Sequence, residues 1–365
     1  MKSVTLLSVL LVVAIAGAVR ADGPADPRSW DPKAAAAYLD GRAQWWSTWQ
    51  NSARDHETFC VSCHTAAPYA LGRPALRRPL GEQARSPQEN RLVDNVVKRV
   101  TMWKDVAPFY PDQTRGIPKS SESRGTESVL NALVVSGRDA ERGHMSDEGR
   151  TAFANMWALQ MKTDATSGAW TWLNFHYEPW ESTDSPYFGA TLAAIAVAQA
   201  PEAYAESADI QENLKQLRTF FQREFDRQPL FNKVMALWAS SGLKGVLTPE
   251  QRTAIIDAAL TKQQPDGGWA TASLGTYKRV DNSALDTRSD GYATGLVTLA
   301  LQRAGVSKTN AQLAKGLDWL RANQDKATGQ WPASSLNKQR DPASDVGRFM
   351  SDAATAYAVL SLTQP

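Results

Sequence analysis

The chain has 365 residues, of which 42% are hydrophobic and 21% are charged, a composition that excludes intrinsic disorder and collagen. One large or two medium domains fit this length, and roughly three quarters of the unfolded surface can be buried without disulfide bonds. Lys2 and Arg20 lie in the first 21 residues, and the remaining 38 basic residues balance 38 acidic ones. We therefore expect no nucleic-acid partner.

Residues 1–21 have the pattern of a signal peptide. Lys2 precedes an apolar run from Val4 to Val19, and Val19-Arg20-Ala21 satisfies the small-residue rule for cleavage. This predicts an exported protein, periplasmic in a bacterium, with no transmembrane segment after cleavage. The alternative is a retained membrane anchor, because the apolar run is close to the roughly 18 residues that span a bilayer.

The two cysteines of the chain stand close together in Cys60-Val61-Ser62-Cys63-His64. This is the attachment pattern of c-type haem, in which each cysteine bonds one haem vinyl group and the next residue supplies an axial imidazole. We predict one covalent haem c, held by Cys60 and Cys63, with His64 on the iron. A thiol redox pair or disulfide and another metal are the alternatives; the first usually accompanies a βαβ pattern, which is absent from the sequence.

A second axial ligand is predicted less directly. His176 is the first candidate and Met102 the second, and an open sixth position is an equal alternative. The other candidates are His56, His144, Met145, Met156, Met161, Met235 and Met350. A methionine more often fills an apolar core than binds a cofactor.

Helical periodicity runs through most of the remaining sequence. Apolar residues recur at three- and four-residue spacing over 34–50, 87–100, 124–135, 147–161 and 208–225. Three segments rich in small residues begin near Pro186, Asp290 and Asp352 and are apolar on all sides, so we expect them to be buried. The fold class predicted is all-α.

Three turns repeat a glutamine followed by glycine and tryptophan. They are Gln160 to Trp170, Gln263 to Trp269 and Gln324 to Trp331. Each ends one helix and precedes a small-residue helix, as in architectures that repeat a helical hairpin. An α/α toroid or a solenoid fits this order, with polar outer helices such as 309–323 around apolar inner ones.

These turns resemble the QW motifs of the squalene-hopene cyclase superfamily, and Gln263-Gln-Pro-Asp-Gly-Gly-Trp269 is the best match. The resemblance spans about residues 147–365 and implies an α/α toroid in which the glutamine supports a helix end and the tryptophan braces neighbouring repeats. We divide the chain into the signal peptide, a haem-binding helical segment over 22–115 and the toroid over 116–365. Because the motifs are structural, they imply fold and not activity.

The cyclase acid is missing from the sequence. Hopene-type cyclases protonate an alkene with an Asp-x-Asp-Asp motif, which occurs nowhere in this chain. Asp290 and Asp352 each follow a serine before an inner helix, and we interpret both as helix caps, with an acid catalyst as the alternative. Since both cysteines belong to the haem motif, the zinc site of the prenyltransferase relatives is not expected. Cyclase activity is not expected either.

The segment from Trp170 to Asp184 is rich in aromatic and acidic residues. Trp172, Trp180 and Glu181 are candidates for lining a cavity that takes an apolar or isoprenoid ligand. The alternative, which explains the same residues equally well, is a structural loop whose side chains only pack on Trp170.

From these features we expect an exported haem protein that transfers single electrons to a redox partner. One alternative is a haem-dependent enzyme acting on an isoprenoid or other apolar substrate in the toroid. Another is a non-catalytic lipid carrier or sensor.

Overall fold

A computed structural model describes residues 29–112, 119–163 and 165–365. The predicted signal peptide, residues 1–21, lies outside the described residues. Within them, no helix is both long and apolar enough to cross a membrane.

Thirteen α-helices and one short hairpin form the described chain. The helices are α1 Pro32–Thr48, α2 Ala66–Gly72, α3 Arg77–Leu80, α4 Pro87–Thr101, α5 Lys119–Arg142, α6 Asp147–Ala158, α7 Ser185–Gln199, α8 Gln211–Glu224, α9 Leu230–Ala239, α10 Pro249–Thr261, α11 Gly291–Arg303, α12 Ala311–Ala322 and α13 Phe349–Leu362. The hairpin pairs β1 Ala53–Arg54 with β2 Thr58–Phe59 in antiparallel fashion. This hairpin was not predicted, because two-residue strands are too short to show periodicity.

Six helices pack side by side in a closed ring. In ring order they are α2, α5, α7, α9, α11 and α13, and α13 contacts α2 again. The other long helices, α1, α4, α6, α8, α10 and α12, alternate with them along the chain and lie outside them. The prediction of an all-α, α/α toroid is confirmed, and ring closure excludes the open solenoid.

The inner helices pack closely because their facing residues are small. Gly72 of α2 and Gly295 of α11 both lie against α13, where a Cβ atom would come within 2.8 Å of Ala356 Cα and 2.7 Å of Ala358 N, respectively. Such distances are below van der Waals contact, so only glycine permits this approach. The apolar character of these helices on all sides follows from their burial within the ring.

The described parts of both predicted segments, 29–112 on one side and 119–163 with 165–365 on the other, contribute to the same ring. Helix α2, which directly follows the Cys60 to His64 segment, lies between α5 and α13, and α1 packs against α13. The buried side chains of both segments form one continuous apolar core.

The repeated glutamines link successive outer helices. The side-chain amides of Gln160, Gln263 and Gln324 donate to the backbone carbonyls of Asn213, Gln312 and Asp31, which lie at the beginning of α8, α12 and α1. Each amide also donates to the glycine carbonyl of its own turn. The third link joins α12 to α1 and so closes the outer layer between the two ends of the chain.

The repeated tryptophans are fully buried. Trp170, Trp269 and Trp331 have no exposed surface, and each indole N–H donates to a carbonyl of the preceding outer helix, at Met156, Ala259 and Leu320. Each ring is therefore held by both packing and a hydrogen bond, as expected of a brace.

Connections at the two ends of the toroid differ in length. The connections from an outer to an inner helix include four long loops, 49–65, 159–184, 262–290 and 323–348. The connections from an inner to an outer helix include two short ones, 143–146 and 304–310. The long loops meet where the inner helices begin. The cysteine motif, the aromatic segment and the loop before α13 therefore share one end of the ring.

Candidate functional site

A cavity of about 200 Å³ opens at this end of the ring. Its walls come from the end of α1, from four connecting loops and from the start of α13. The lining residues are Trp46, Trp49, His64, Tyr110, Phe175, Tyr177, Trp180, Glu181, Ser335, Asn337, Arg340, Val346, Gly347, Phe349 and Met350. Aromatic rings dominate, and His64 is the histidine among them.

The Cys60 to His64 segment is fixed through its backbone. Asn95 of α4 accepts from the amide of Phe59 at 2.8 Å and donates to its carbonyl at 3.0 Å. The indole N–H of Trp46 donates to the Cys60 carbonyl at 2.6 Å. Ser62 Oγ accepts from the amides of Thr65 and Ala66 at the start of α2. These bonds hold the turn rigidly ahead of an inner helix.

Both cysteines are buried and unpaired, with 5% and 3% of their surface exposed. Burial raises the pKa of the Cys60 thiol to about 12 and that of Cys63 well above its usual value, and the nearby Glu181 carboxylate adds to both shifts. Reactive redox cysteines need the opposite shift, because the thiolate is the nucleophile. In this fold the pair is therefore poorly suited to thiol exchange.

Aromatic rings fix the orientation of the His64 imidazole. Phe349 stacks on it with ring centroids 3.7 Å apart and an interplanar angle of 23°. Trp46 meets it edge-on at 4.9 Å, and Trp180 lies at 6.0 Å. Stacking covers the face of the imidazole, whereas the nitrogen lone pair lies in the ring plane and stays accessible.

A hydrogen-bond chain determines which nitrogen of His64 carries the proton. Thr65 Oγ1 lies 2.8 Å from His64 Nδ1 and donates its single proton to Asp352 Oδ2 at 2.6 Å. The hydroxyl oxygen must therefore accept from Nδ1–H, which leaves Nε2 with its lone pair. The described residues give Nε2 no hydrogen-bond partner.

The charge of Asp352 is held in place by α1. Arg42 donates from Nε to Oδ1 at 2.7 Å and from Nη2 to Oδ2 at 3.1 Å, and Tyr38 donates its hydroxyl to Oδ1 at 2.8 Å. With Thr65, these donors satisfy both carboxylate oxygens. Burial raises the pKa of Asp352, and the bidentate guanidinium of Arg42 opposes this shift by favouring the ionised form.

The two predicted caps have different outcomes. Asp290 does cap α11, since its carboxylate accepts from the Ala293 amide. For α13 the predicted capping serine is wrong, because the helix begins at Phe349 and no side chain caps it, whereas the prediction of an acid in its first turn is confirmed. Asp352 lies in the first turn and binds side chains of α1 and Thr65 instead.

Burial, together with the positive charges of Arg42 and Arg340, lowers the pKa of His64 to about 3. The imidazole is therefore neutral across the physiological range. A neutral, oriented imidazole is the form that ligates a metal, and its low basicity makes it a weak proton acceptor.

The predicted ligands and cavity residues are placed as follows. Trp180 and Glu181 line the cavity, while Trp172 lies behind them and donates its indole N–H to the Trp180 carbonyl. His176 is exposed and points away from the cavity walls formed by its neighbours Phe175 and Tyr177. Met102 is half-buried at the end of α4 and is not among the lining residues.

Met350 is the methionine that lines the cavity with His64. It is 3% exposed and follows Phe349 at the start of α13. The sequence named it only among several methionines, because nothing local distinguishes it from a core residue. Among the described residues, no group of three or more histidine, cysteine or acidic side chains could hold a bare metal ion.

No family model matches the chain, and no curated protein matches it. Solved structures with a similar fold include ent-copalyl diphosphate synthase from Streptomyces platensis, with a TM-score of 0.47 and 16% identity over 81% of this chain and 50% of that one. The chain thus spans about half the length of that enzyme. A wild-type glycosidase matches with a TM-score of 0.47 and 12% identity over 90% of this chain and 98% of that one. A variant of a glycosidase matches with a TM-score of 0.49 and 12% identity over 90% of this chain and 97% of that one.

Proposed function

We propose that the protein is an exported c-type haem protein that transfers single electrons, with haem bonded to Cys60 and Cys63 and His64 as an axial ligand. The observation that supports it best is the His64 imidazole, whose Nδ1–H is bound by Thr65 and whose Nε2 is left without a partner at an aromatic cavity. This is the arrangement of a ligand histidine with its second hydrogen bond in place.

The thiols of Cys60 and Cys63 and the imidazole of His64 are the groups that haem c requires. The two thiols are free and lie three positions apart in the sequence, and attachment would add each S–H across a vinyl group without consuming an oxidant. The cavity of about 200 Å³ is smaller than the roughly 300–1,000 Å³ of typical ligand pockets. Half-buried walls such as Trp49 and Tyr177 must therefore move outward to admit a haem.

When bound, the haem supplies a one-electron redox centre. The chain's own residues determine how that centre behaves. Asp352, acting through Thr65, strengthens the basicity of the imidazole, and the rings of Trp46, Trp180 and Phe349 exclude water from it.

Met350 is our preferred second axial ligand, ahead of the sequence candidates His176 and Met102. It shares the cavity with His64, whereas His176 is exposed and Met102 lies elsewhere. A histidine and methionine pair is the ligand set of electron-transfer cytochromes c.

The toroid itself we propose to be of the squalene-hopene cyclase type. Support comes from the three glutamine and tryptophan turns, whose hydrogen bonds repeat from one hairpin to the next. The signal-peptide pattern of residues 1–21 supports export, with the periplasm as destination in a bacterium.

Attachment is tested by expressing the protein with a haem-maturation system and staining a denaturing gel for peroxidase activity. Wild type should stain, and its pyridine haemochrome should give one haem per chain. Cys63→Ala should lose one thioether bond, with a shift in the haemochrome band, and Cys60→Ala together with Cys63→Ala should abolish staining. An unstained wild type with a Cys60 to Cys63 disulfide would overturn the proposal.

Axial ligation is tested with a matched set of histidine variants. His64→Ala should shift the Soret band, whereas His144→Ala, at an exposed turn, should not. A low-spin, six-coordinate spectrum that becomes high-spin in Met350→Ala supports electron transfer. Five-coordinate iron that binds carbon monoxide in wild type would instead support chemistry at the metal on an apolar substrate, the second function expected from the sequence.

A further inference from the structure

A second cavity, of about 450 Å³, opens at the same end of the ring. Its walls come from loop 159–184, from the connection between α8 and α9 and from loop 262–290. Glu178 and Asp184 line it, whereas residues beside them in the sequence line the cavity of His64. The volume falls within the roughly 300–1,000 Å³ of small-molecule sites.

The carboxylates of Glu178 and Asp184 form no ion pair with the described residues. Glu178 is half-buried and receives a hydrogen bond from the Ser182 side chain. Asp184 directly precedes α7 without capping it, and Arg227, the cation that acts on it, pairs with Glu224. Burial raises the pKa of Glu178, and the charge of Asp184 adds to the shift. The two carboxylates are thus close enough to interact, and both present acceptors to the cavity.

Tyr277 supplies a hydroxyl group that has no partner. Its ring lines the cavity and folds back over Gly275, where a Cβ atom would lie 2.6 Å from the hydroxyl oxygen. That oxygen is buried and makes no hydrogen bond. Burial raises the pKa of the phenol, and the charges of Glu178 and Asp184 add to the shift, so the group keeps its proton. Because buried hydroxyl groups are normally bonded, this one is a donor in need of an acceptor.

Asn232 of α9 supports the wall of this cavity from behind. Its Nδ2 donates to the carbonyl of Asp184 at 3.1 Å and to Oε1 of Gln228 at 2.8 Å, and both of these residues line the cavity. Asn232 is 2% exposed, and its Oδ1 has no partner. An unpaired acceptor therefore lies behind the wall, and the unpaired donor of Tyr277 lies at its surface. Hydroxyl groups, which donate and accept, match both, directly or through a bound water.

The lining disfavours ligands of three other kinds. Lys262 and Arg227 line the cavity together with Glu178 and Asp184, so a strongly charged ligand of either sign meets a like charge. An apolar ligand would bury the carboxylates and the Tyr277 hydroxyl without hydrogen bonds, which is costly.

We propose that this cavity binds a neutral pyranose sugar. Glu178 and Asp184 accept from its hydroxyl groups, and Tyr277 donates to one of its oxygens. The apolar surface of Leu230 and of the Tyr277 ring is suited to the C–H face of the sugar. This site is separate from the cavity of His64, so it does not depend on the proposed haem.

Binding is tested by isothermal titration calorimetry of the purified protein with glucose, galactose, mannose and cellobiose. Wild type should bind at least one of them saturably. Glu178→Gln should weaken that binding about tenfold or more, because a charge-assisted hydrogen bond is lost. Glu212→Gln removes the same charge from an exposed position on α8 and should bind as wild type does. Cys60→Ala combined with Cys63→Ala should also bind as wild type, whether or not haem is attached.

Tyr277→Phe separates ligand binding from folding. Since the hydroxyl has no partner in the fold, its removal should leave the melting temperature unchanged and weaken sugar binding several-fold. A lowered melting temperature would reveal a structural role for the hydroxyl and contradict the proposal. The proposal is also wrong if none of the four sugars binds, or if Glu178→Gln and Tyr277→Phe both match Glu212→Gln. Binding of spermidine in place of the sugars would assign the carboxylates to a cation instead.

Discussion

The hydroxyl of Thr65 and the carboxylate of Asp352 are joined by a 2.6 Å hydrogen bond, although 287 positions separate them in the chain. Thr65 follows His64 directly, and Asp352 lies in the first turn of the last helix. The electronic state of the imidazole is therefore controlled by a residue at the opposite end of the sequence.

Thr65→Val should break this connection while keeping the size of the side chain. His64 Nδ1–H then loses its acceptor and the imidazole becomes a weaker donor to iron. We expect the midpoint potential of the holoprotein to rise, as measured by redox titration, with haem still attached. Thr65→Ser retains the hydroxyl and should restore the wild-type potential; equal potentials in the valine and serine variants would contradict the relay.

The two aspartates that bind Arg42 should differ sharply in their contribution to stability. Asp352 and Arg42 are 2% and 6% exposed, whereas Asp345 is 49% exposed. Asp352→Asn leaves the buried guanidinium with only the exposed Asp345 as a charge partner and should lower the free energy of unfolding by about 3–5 kcal/mol. Asp345→Asn should cost at most about 1 kcal/mol. Urea denaturation measures both, and similar losses would refute a special role for Asp352.

Trp331→Ala should destabilise the toroid by roughly 3–5 kcal/mol, because it empties a fully buried position and removes a hydrogen bond to Leu320. The haem spectrum of the folded fraction should not change. Trp319, half-buried on the outer helix α12, is the matched control, and its replacement by alanine should cost much less. A wild-type melting temperature for Trp331→Ala would exclude the bracing role.

Asp290 should give the stability a distinctive pH dependence. Burial raises its pKa to about 6, against about 3.9 in an unfolded chain. Between about pH 4 and pH 6 the folded state keeps a proton that the unfolded state has released. The contribution of Asp290 to stability is therefore complete below about pH 4. It is lost, by about 3 kcal/mol, as the pH rises through 6. Asp290→Asn should remove that slope from unfolding curves measured between pH 4 and 7. A slope that survives in the variant must come from other groups.

Squalene incubated with the purified holoprotein should be recovered uncyclised. The sequence contains no Asp-x-Asp-Asp acid, Asp290 caps a helix, and Asp352 is bound by four donors. Neither carboxyl group is both a strong acid and free of hydrogen-bond donors, as protonation of an alkene would require. Gas chromatography of the extract tests this against a boiled control. Pentacyclic product that disappears in folded Asp290→Asn would mean that the capping carboxylate is also a catalyst.

Local patterns predicted much of this molecule. The Gln263 to Trp269 turn marks a helix end and a brace within seven residues. The motif of Cys60, Cys63 and His64 singled out the histidine that lines the cavity. Trp180 and Glu181 were identified by composition alone. Each of these signals is complete within a short window of sequence.

Other features depend on contacts that no short window contains. Asp352 looks like a helix cap locally, but Arg42 and Tyr38 reach it only after the ring has closed. Arg340 and Met350 resemble an ordinary loop cation and a core methionine until the loop before α13 lies beside His64. His176 was favoured for its aromatic surroundings, yet a backbone φ of 60° lies in the left-handed region and the side chain is exposed.

Closure of the ring has a consequence for the order of events during maturation. Phe349 stacks on His64, and Asp352 binds Thr65 from 287 positions further along the chain. Contacts between such distant positions form slowly, because the entropy of closing a long loop is lost before any contact energy is gained. Until α13 docks, the segment from Cys60 to Thr65 therefore lacks the contacts of Phe349 and Asp352. For the proposed haem, attachment to that open segment and docking of α13 would be successive steps.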